Sequence, residues 1–213
     1  MKKLILFGKV HIVPSTIYEV LISTRNQKDI RDPRYPYNVA PMGIEFKNDK
    51  TFYLRPFKTT QTYRNLLKES QFGLNISFDM QVFYNTIFSK EKFTKDHFLI
   101  DEKTGIPFLK ATTASMICKT ISEKPISSER AQFECELISL VLWNDYFEPP
   151  CRARNLVFES LIHFTRLEVF KDLKKRDFLM KQIFEYQDII KRTSKNTNYD
   201  KIMLDIIKKV KNF

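Results

Sequence analysis

The apolar residues of this chain change period once, near residue 150, and that change limits the folds open to it. Before it, short runs rich in β-branched and aromatic residues alternate with polar breaks: "TIYEVLIST", "NVAPMGIEF", "TFYLRPF", "FGLNISF", "ASMICKTISEKP" and "AQFECELISLVLW". Such runs read as strands. After it, "RARNLVFESLIHFTRLEVF", "KRDFLMKQIFEYQDIIKRT" and "YDKIMLDIIKKVKN" repeat apolar side chains at helical spacing. The fold class is therefore α+β: a mainly antiparallel β body at 1–150 and a C-terminal helical segment at 151–213. Leu156, Leu161, Phe164 and Leu167 in the first of those helices are expected to face a core. In the second the expectation is Phe178, Ile183, Phe184 and Ile190.

Within the β body, "MKKLILFGKVHIVPS" reads as a first strand and not an export signal, because Lys9 and His11 interrupt the apolar run and no cleavage site follows. "QKDIRDPRYPY" is a loop, and "KNDK" is a turn that makes its flanking strands an antiparallel hairpin. After Phe57 the rhythm becomes helical through Tyr63, Leu66 and Leu67, with Thr59, Thr60 or Thr62 able to cap the start and Gly73 placed to end it. Over 79–110 the pattern is weak: "MQVFYNTIF" suits a helix or a strand, and "SKEKFTKDHFLIDEKTGIP" reads as loop.

The stretch "YLRPFKTTQTYRNLL" (53–67) is where a strand pattern hands over to a helix. Such a junction gathers free backbone N–H groups and the positive end of a helix dipole, which together favour a phosphate. Arg55 can add a two-pronged donor, Lys58 a point charge, and Thr59, Thr60 and Thr62 hydroxyls. Threonines also cap helices without any ligand, so the residues alone leave both readings open. Neither G-x-x-x-x-G-K-[ST] nor G-x-G-x-x-G occurs, which argues against a nucleotide held by those loops.

At 213 residues with 43% hydrophobic and 14% aromatic content, the chain can bury a substantial core. No run reaches the roughly 20 apolar residues of a membrane span, so a soluble, cytoplasmic protein is expected. Cys118, Cys135 and Cys151 form no C-x-x-C pair and have no histidine at ligand spacing, so inert thiols and no metal are expected. The net charge of +11 favours anionic partners. Its densest clusters, "KDLKKR" and "IIKKVKN", mix with acidic residues on helices, a pattern of solvated faces more than of a nucleic-acid site.

"YEVLISTRN", "NVAPMGIEF", "LRPFKTTQTYRNLL" and "FGLNISFD", in this order, resemble the mostly archaeal family called domain of unknown function 447. "RNLVFESLIHFTRLEVF" is similar to that family's helical segment. The resemblance implies a split β-barrel that binds flavin mononucleotide (FMN), with Arg55, Phe57, Lys58, Thr59, Thr60, Thr62 and Asn65 in the phosphate-holding segment. It further implies that Asn38, Ala40, Pro41 and Met42 run along the isoalloxazine ring, with backbone hydrogen bonds to it, and that Asn75 faces the same region. A homodimer with flavin at the interface, oxidoreductase or flavin-reductase-like chemistry and a nicotinamide electron donor follow as expectations of the same resemblance. Related barrels accept deazaflavin or haem, and a basic module for nucleic acid or a protein partner is the other alternative.

Asn155, Glu159 and His163 lie four apart, with Arg166 three beyond, so one helix face carries a polar line. It reads either as a proton donor near a flavin, through His163, or as a stripe that orients the helix.

Overall fold

The computed structural model describes residues 17–26, 36–48, 50–110, 112–142 and 152–213. The expected N-terminal strand, most of the "QKDIRDPRYPY" loop, His11 and Cys151 lie outside them. The chain divides into two units, Met1–Tyr146 and Phe147–Phe213.

In the first unit, β1 (Ile17–Arg25), β2 (Tyr37–Phe46), β3 (Thr51–Leu54), β4 (Gln71–Ile76), β7 (Ala114–Pro125) and β8 (Ala131–Leu142) form a closed antiparallel barrel. Its order is β1-β2-β3-β8-β7-β4. Alternation explains the interior: Val20 and Ile22, Ile44 and Phe46, Phe52 and Leu54, Phe72 and Leu74, Met116 and Cys118, Phe133 and Cys135 all turn inward. Phe46, Phe52 and Phe72 make a chain of ring contacts at 5.5 and 6.4 Å. Each fully buried ring contributes about 1.5–3 kcal/mol. Cys118 and Cys135 are free thiols in this core, and burial raises both pKa values.

Helix α1 (Gln61–Lys68) packs against the barrel at β1 and β2, with Leu66 in the core and Tyr63 edge-on to Phe133 at 5.9 Å. Thr60 caps it: its Oγ1 accepts from the Tyr63 N–H at 3.3 Å and donates to the Phe57 carbonyl at 2.7 Å. The helix ends at Lys68 through Glu69, which pairs with Arg25, and not through Gly73. Gly73 instead sits inside β4, where a Cβ would run into the Ser23 hydroxyl and the Pro107 carbonyl. The turn at "KNDK" is fixed by Asn48 Oδ1, which accepts from the N–H groups of Lys50 and Thr51.

The weak stretch resolves into α2 (Met80–Phe88), capped by Asp79, and a small two-stranded sheet of β5 (Phe98–Ile100) and β6 (Pro107–Leu109). Strands of three residues carry too little alternation to read from sequence, so the expected loop was incomplete. Asn75 fastens this sheet to the barrel. Its Nδ2 donates to the Leu21 carbonyl and Ser23 Oγ, while its Oδ1 accepts from the Leu109 N–H and Ser115 Oγ, at 2.9–3.1 Å.

In the second unit, α3 (Arg152–Val169), α4 (Leu173–Thr193) and α5 (Asn198–Val210) pack together. Val157, Leu161, Phe164 and Leu167 meet Leu179, Ile183, Ile190, Met203 and Ile206 as buried residues. Phe178 and Phe184 are not in this core, being 61% and 37% exposed. The buried stripe of α4 runs Leu179, Ile183, Ile190, and those two rings fall off it by phase. Among the described residues, no helix is long and apolar enough to cross a membrane.

Candidate functional site

The junction at the N-terminus of α1 is built by two sets of contacts. The first comes from the β7–β8 turn. Phe57 bridges to Arg130, the Lys58 N–H donates to the Glu129 carbonyl at 2.8 Å, and Lys58 Nζ donates to the Ser127 carbonyl at 2.9 Å. The Arg130 guanidinium lies over the Phe57 ring at 3.9 Å, a cation–π contact. Arg64 folds back onto the start of its own helix, donating to the Thr59 carbonyl at 3.0 Å and Gln61 Oε1 at 3.0 Å. Lys58, Arg64 and Arg130 thus surround a turn whose Thr59, Gln61 and Thr62 N–H groups have no hydrogen-bond partner among the described residues.

The second set is a buried polar network between α1 and the first two strands. Thr24 and Asn38 are cross-strand partners on the inner side of the barrel wall. Asn38 Nδ2 donates to Thr24 Oγ1 at 3.2 Å and to Thr62 Oγ1 at 3.0 Å. Asn65 Nδ2 donates to the same Thr24 Oγ1 at 2.8 Å and to Asn26 Oδ1 at 3.0 Å, and its Oδ1 accepts from Gln61 Nε2 at 2.7 Å. Asn26 Nδ2 is buried with no partner among the described residues, a donor left over at the rim of the network.

Beside this network, β2 is paired on one side only. It meets β1 from Tyr37 to Glu45, but β3 only from Ile44 to Phe46. On its other edge, β3 pairs with none of the residues before Ile44. Ala40, Pro41, Met42 and Gly43 are partly exposed there, between the buried Asn38 and Val39 on one side and the buried Ile44 on the other. Ala40 and Gly43 add little or no side chain to this stretch, Met42 packs against the core, and Pro41, with no N–H to give a ladder, suits a one-sided stretch.

Of the expected site residues, Asn38, Phe57, Lys58, Thr59, Thr60, Thr62 and Asn65 come together around the α1 turn, and Ala40, Pro41 and Met42 continue from it along the open edge. Arg55 and Asn75 do not join them. Arg55 bonds Glu45 Oε2 at 2.6 Å and Gln132 Oε1 at 2.8 Å, over the Tyr53 ring, on the outer face of β2, β3 and β8. Asn75 has spent both donors and both acceptor positions on the node beneath β6. The sequence reading missed Thr24, Asn26, Gln61, Arg64 and Arg130. Thr24 carried a signal: it continues the inward series Tyr18, Val20, Ile22 with a polar side chain.

His163 lies in the helical unit, 4% exposed, with Glu159 Oε1 3.7 Å from its Nδ1 and the Tyr186 ring at 5.7 Å. Burial lowers its pKa, against the pull of the Glu159 carboxylate. His97 is exposed and bonded to Thr94. No group of three or more metal-ligating side chains occurs among the described residues.

Two family models match the chain: the N-terminal domain of the protein of unknown function DUF447 over residues 18–143, and its C-terminal partner over 151–209. The chain belongs to this family. It is 28% identical over 188 residues to the uncharacterised protein MJ1453 of Methanocaldococcus jannaschii, covering 83% of this chain and 89% of the relative. Its fold is that of the FMN-bound DUF447 protein MM1853 from Methanosarcina mazei, with a TM-score of 0.72 at 22% identity. That match covers 91% of this chain and 94% of the other. The nitrilotriacetate monooxygenase component B from Bacillus cereus shares the fold over 67% of this chain and 76% of its own, at a TM-score of 0.50 and 14% identity.

Proposed function

We propose that the protein is an FMN-binding flavoprotein of the oxidoreductase, flavin-reductase-like kind, working in the cytoplasm as a homodimer with a nicotinamide electron donor. The observation that carries the reading is the donor-rich α1 turn set beside the open edge of β2. One supplies unpaired N–H groups and cations suited to a phosphate, the other an approachable backbone suited to a flat heteroaromatic ring. The FMN-bound state of the family member MM1853 supports the choice of cofactor.

When bound, the flavin supplies the hydride or electron chemistry. The chain holds the phosphate through the N–H groups of Thr59, Gln61 and Thr62, with Lys58, Arg64 and Arg130 neutralising its charge. The α1 dipole adds a positive end to the same spot. Asn38 to Met42 orient the ring along β2, and Thr60 keeps the turn in shape by capping. The division at 1–150 and 151–213 makes the barrel the cofactor unit.

Equilibrium titration of the full chain with FMN, read by flavin fluorescence, tests this. Lys58→Ala weakens binding by about 1–3 kcal/mol, the value of a charge-assisted bond. An unchanged affinity in that variant refutes the phosphate assignment, and no binding by the wild type refutes the flavin reading.

A further inference from the structure

We propose that Thr24 is a positioning residue that makes the flavin's phosphate count: it fixes the α1 turn against the open edge of β2, so that phosphate and ring are engaged together. The proposal rests on the FMN reading above and deepens it. Two residues expected to touch the flavin, Asn38 and Asn65, then act through this hydroxyl.

The hydrogen-bond accounting carries the argument. Both N–H groups of the Asn38 amide are spent, on Thr24 Oγ1 at 3.2 Å and Thr62 Oγ1 at 3.0 Å. Both of Asn65 are spent as well, on Thr24 Oγ1 at 2.8 Å and Asn26 Oδ1 at 3.0 Å. Neither amide has a donor left for a ligand. Thr24 Oγ1 is the one atom that both reach, and it uses both acceptor positions to do so. The residue is 3% exposed, and Asn38, Thr62 and Asn65 are 1–2% exposed, so water does not compete for these bonds.

The network spans the two halves of the candidate site. Asn38 opens the stretch of β2 that lies beyond its pairing with β3, while Thr62 and Asn65 belong to the first turns of α1, whose N–H groups face the proposed phosphate. A ligand with a ring at one end and a phosphate at the other gains from both only if their separation is fixed beforehand. Riboflavin, which lacks the phosphate, has no use for that registration.

The experiment measures FMN and riboflavin affinities on the full chain and compares their ratio between wild type, Thr24→Val and Thr24→Ser. Valine keeps the volume and removes the double acceptor, whereas serine keeps the hydroxyl. The expected result is that Thr24→Val lowers the FMN-to-riboflavin preference about tenfold, the size of one lost charge-assisted bond, with riboflavin affinity little changed. Thr24→Ser restores the wild-type ratio. Equal weakening of both ligands, or no change in either, overturns the proposal, because a purely structural role moves both together. Should Thr24→Val fail to fold by circular dichroism, Thr62→Val removes only the Asn38 bond and must lower the ratio in the same direction. A wild type that binds riboflavin and FMN alike refutes the phosphate reading itself and takes this proposal with it. A wild type with a clear FMN preference that Thr24→Val leaves intact refutes the positioning role alone.

Discussion

Replacing Asn75 by alanine separates two roles for a buried amide. As a flavin ligand it would govern affinity, whereas as a structural node it governs stability. The structure gives the node four hydrogen bonds, to the Leu21 carbonyl, Ser23 Oγ, the Leu109 N–H and Ser115 Oγ, on a residue with no exposed surface. At about 0.5–1.5 kcal/mol net for each bond, Asn75→Ala costs about 2–6 kcal/mol. The upper half applies if the Leu109 N–H finds no new acceptor, since an orphaned buried donor carries its full desolvation penalty. Urea unfolding followed by circular dichroism reads this directly as a fall in midpoint at unchanged slope. Ser115→Ala, which removes one of the four bonds, provides the scale and should cost about 1 kcal/mol. FMN affinity of the folded Asn75→Ala protein stays at the wild-type value. A stability loss under about 1 kcal/mol together with weakened FMN binding would refute the node and return Asn75 to the cofactor.

Two further outcomes follow from the same contacts. Arg55→Ala leaves FMN affinity unchanged in the titration that detects Lys58→Ala, because its guanidinium is engaged by Glu45 and Gln132; a matching loss would show that the ion pair opens to the phosphate. For His163, burial favours the neutral ring, with Arg166 acting in the same direction and Glu159 opposing, so the folded pKa lies below the ordinary 6.5. The unfolded chain then binds the extra proton first, and stability present above about pH 6.5 is lost as pH falls toward the folded value. Thermal melts of wild type and His163→Leu between pH 8 and 5 check this, since the variant should have the shallower acid limb and equal slopes would contradict the assignment.

What could be read from the sequence was what repeats. The alternation in "TIYEVLIST", "NVAPMGIEF" and the two long runs at 114–125 and 131–143 marks strands that the barrel contains, and Thr60 caps α1 as one of three threonines named for it. Where a residue's role depends on a distant neighbour, local pattern failed. Gly73 looked like a helix stop because it follows a helix, yet its lack of a side chain serves the close approach of Ser23 and Pro107. Amide and guanidinium groups have the same chemistry toward a cofactor or a strand, and the partners of Arg55 (Glu45, Gln132) and of Asn75 (Leu109, Ser115) lie far off in sequence, where local pattern does not reach. Phe178 and Phe184 failed by phase, since a long helix with many apolar residues offers more than one candidate stripe. The donor-rich segment 55–65 stood out by its residue types, whereas the bonds that tie Thr62 to Asn38 and Asn65 to Thr24 required the pairing of β1 with β2.

The central claim is that this barrel holds FMN with its phosphate at the α1 turn. Its most direct test is the absorption spectrum of the purified full chain, followed by heat release and mass identification of the chromophore. The account predicts a flavin spectrum and released FMN approaching one per chain, restored by added FMN if the protein is first stripped. A colourless protein that also fails to take up added FMN would contradict it.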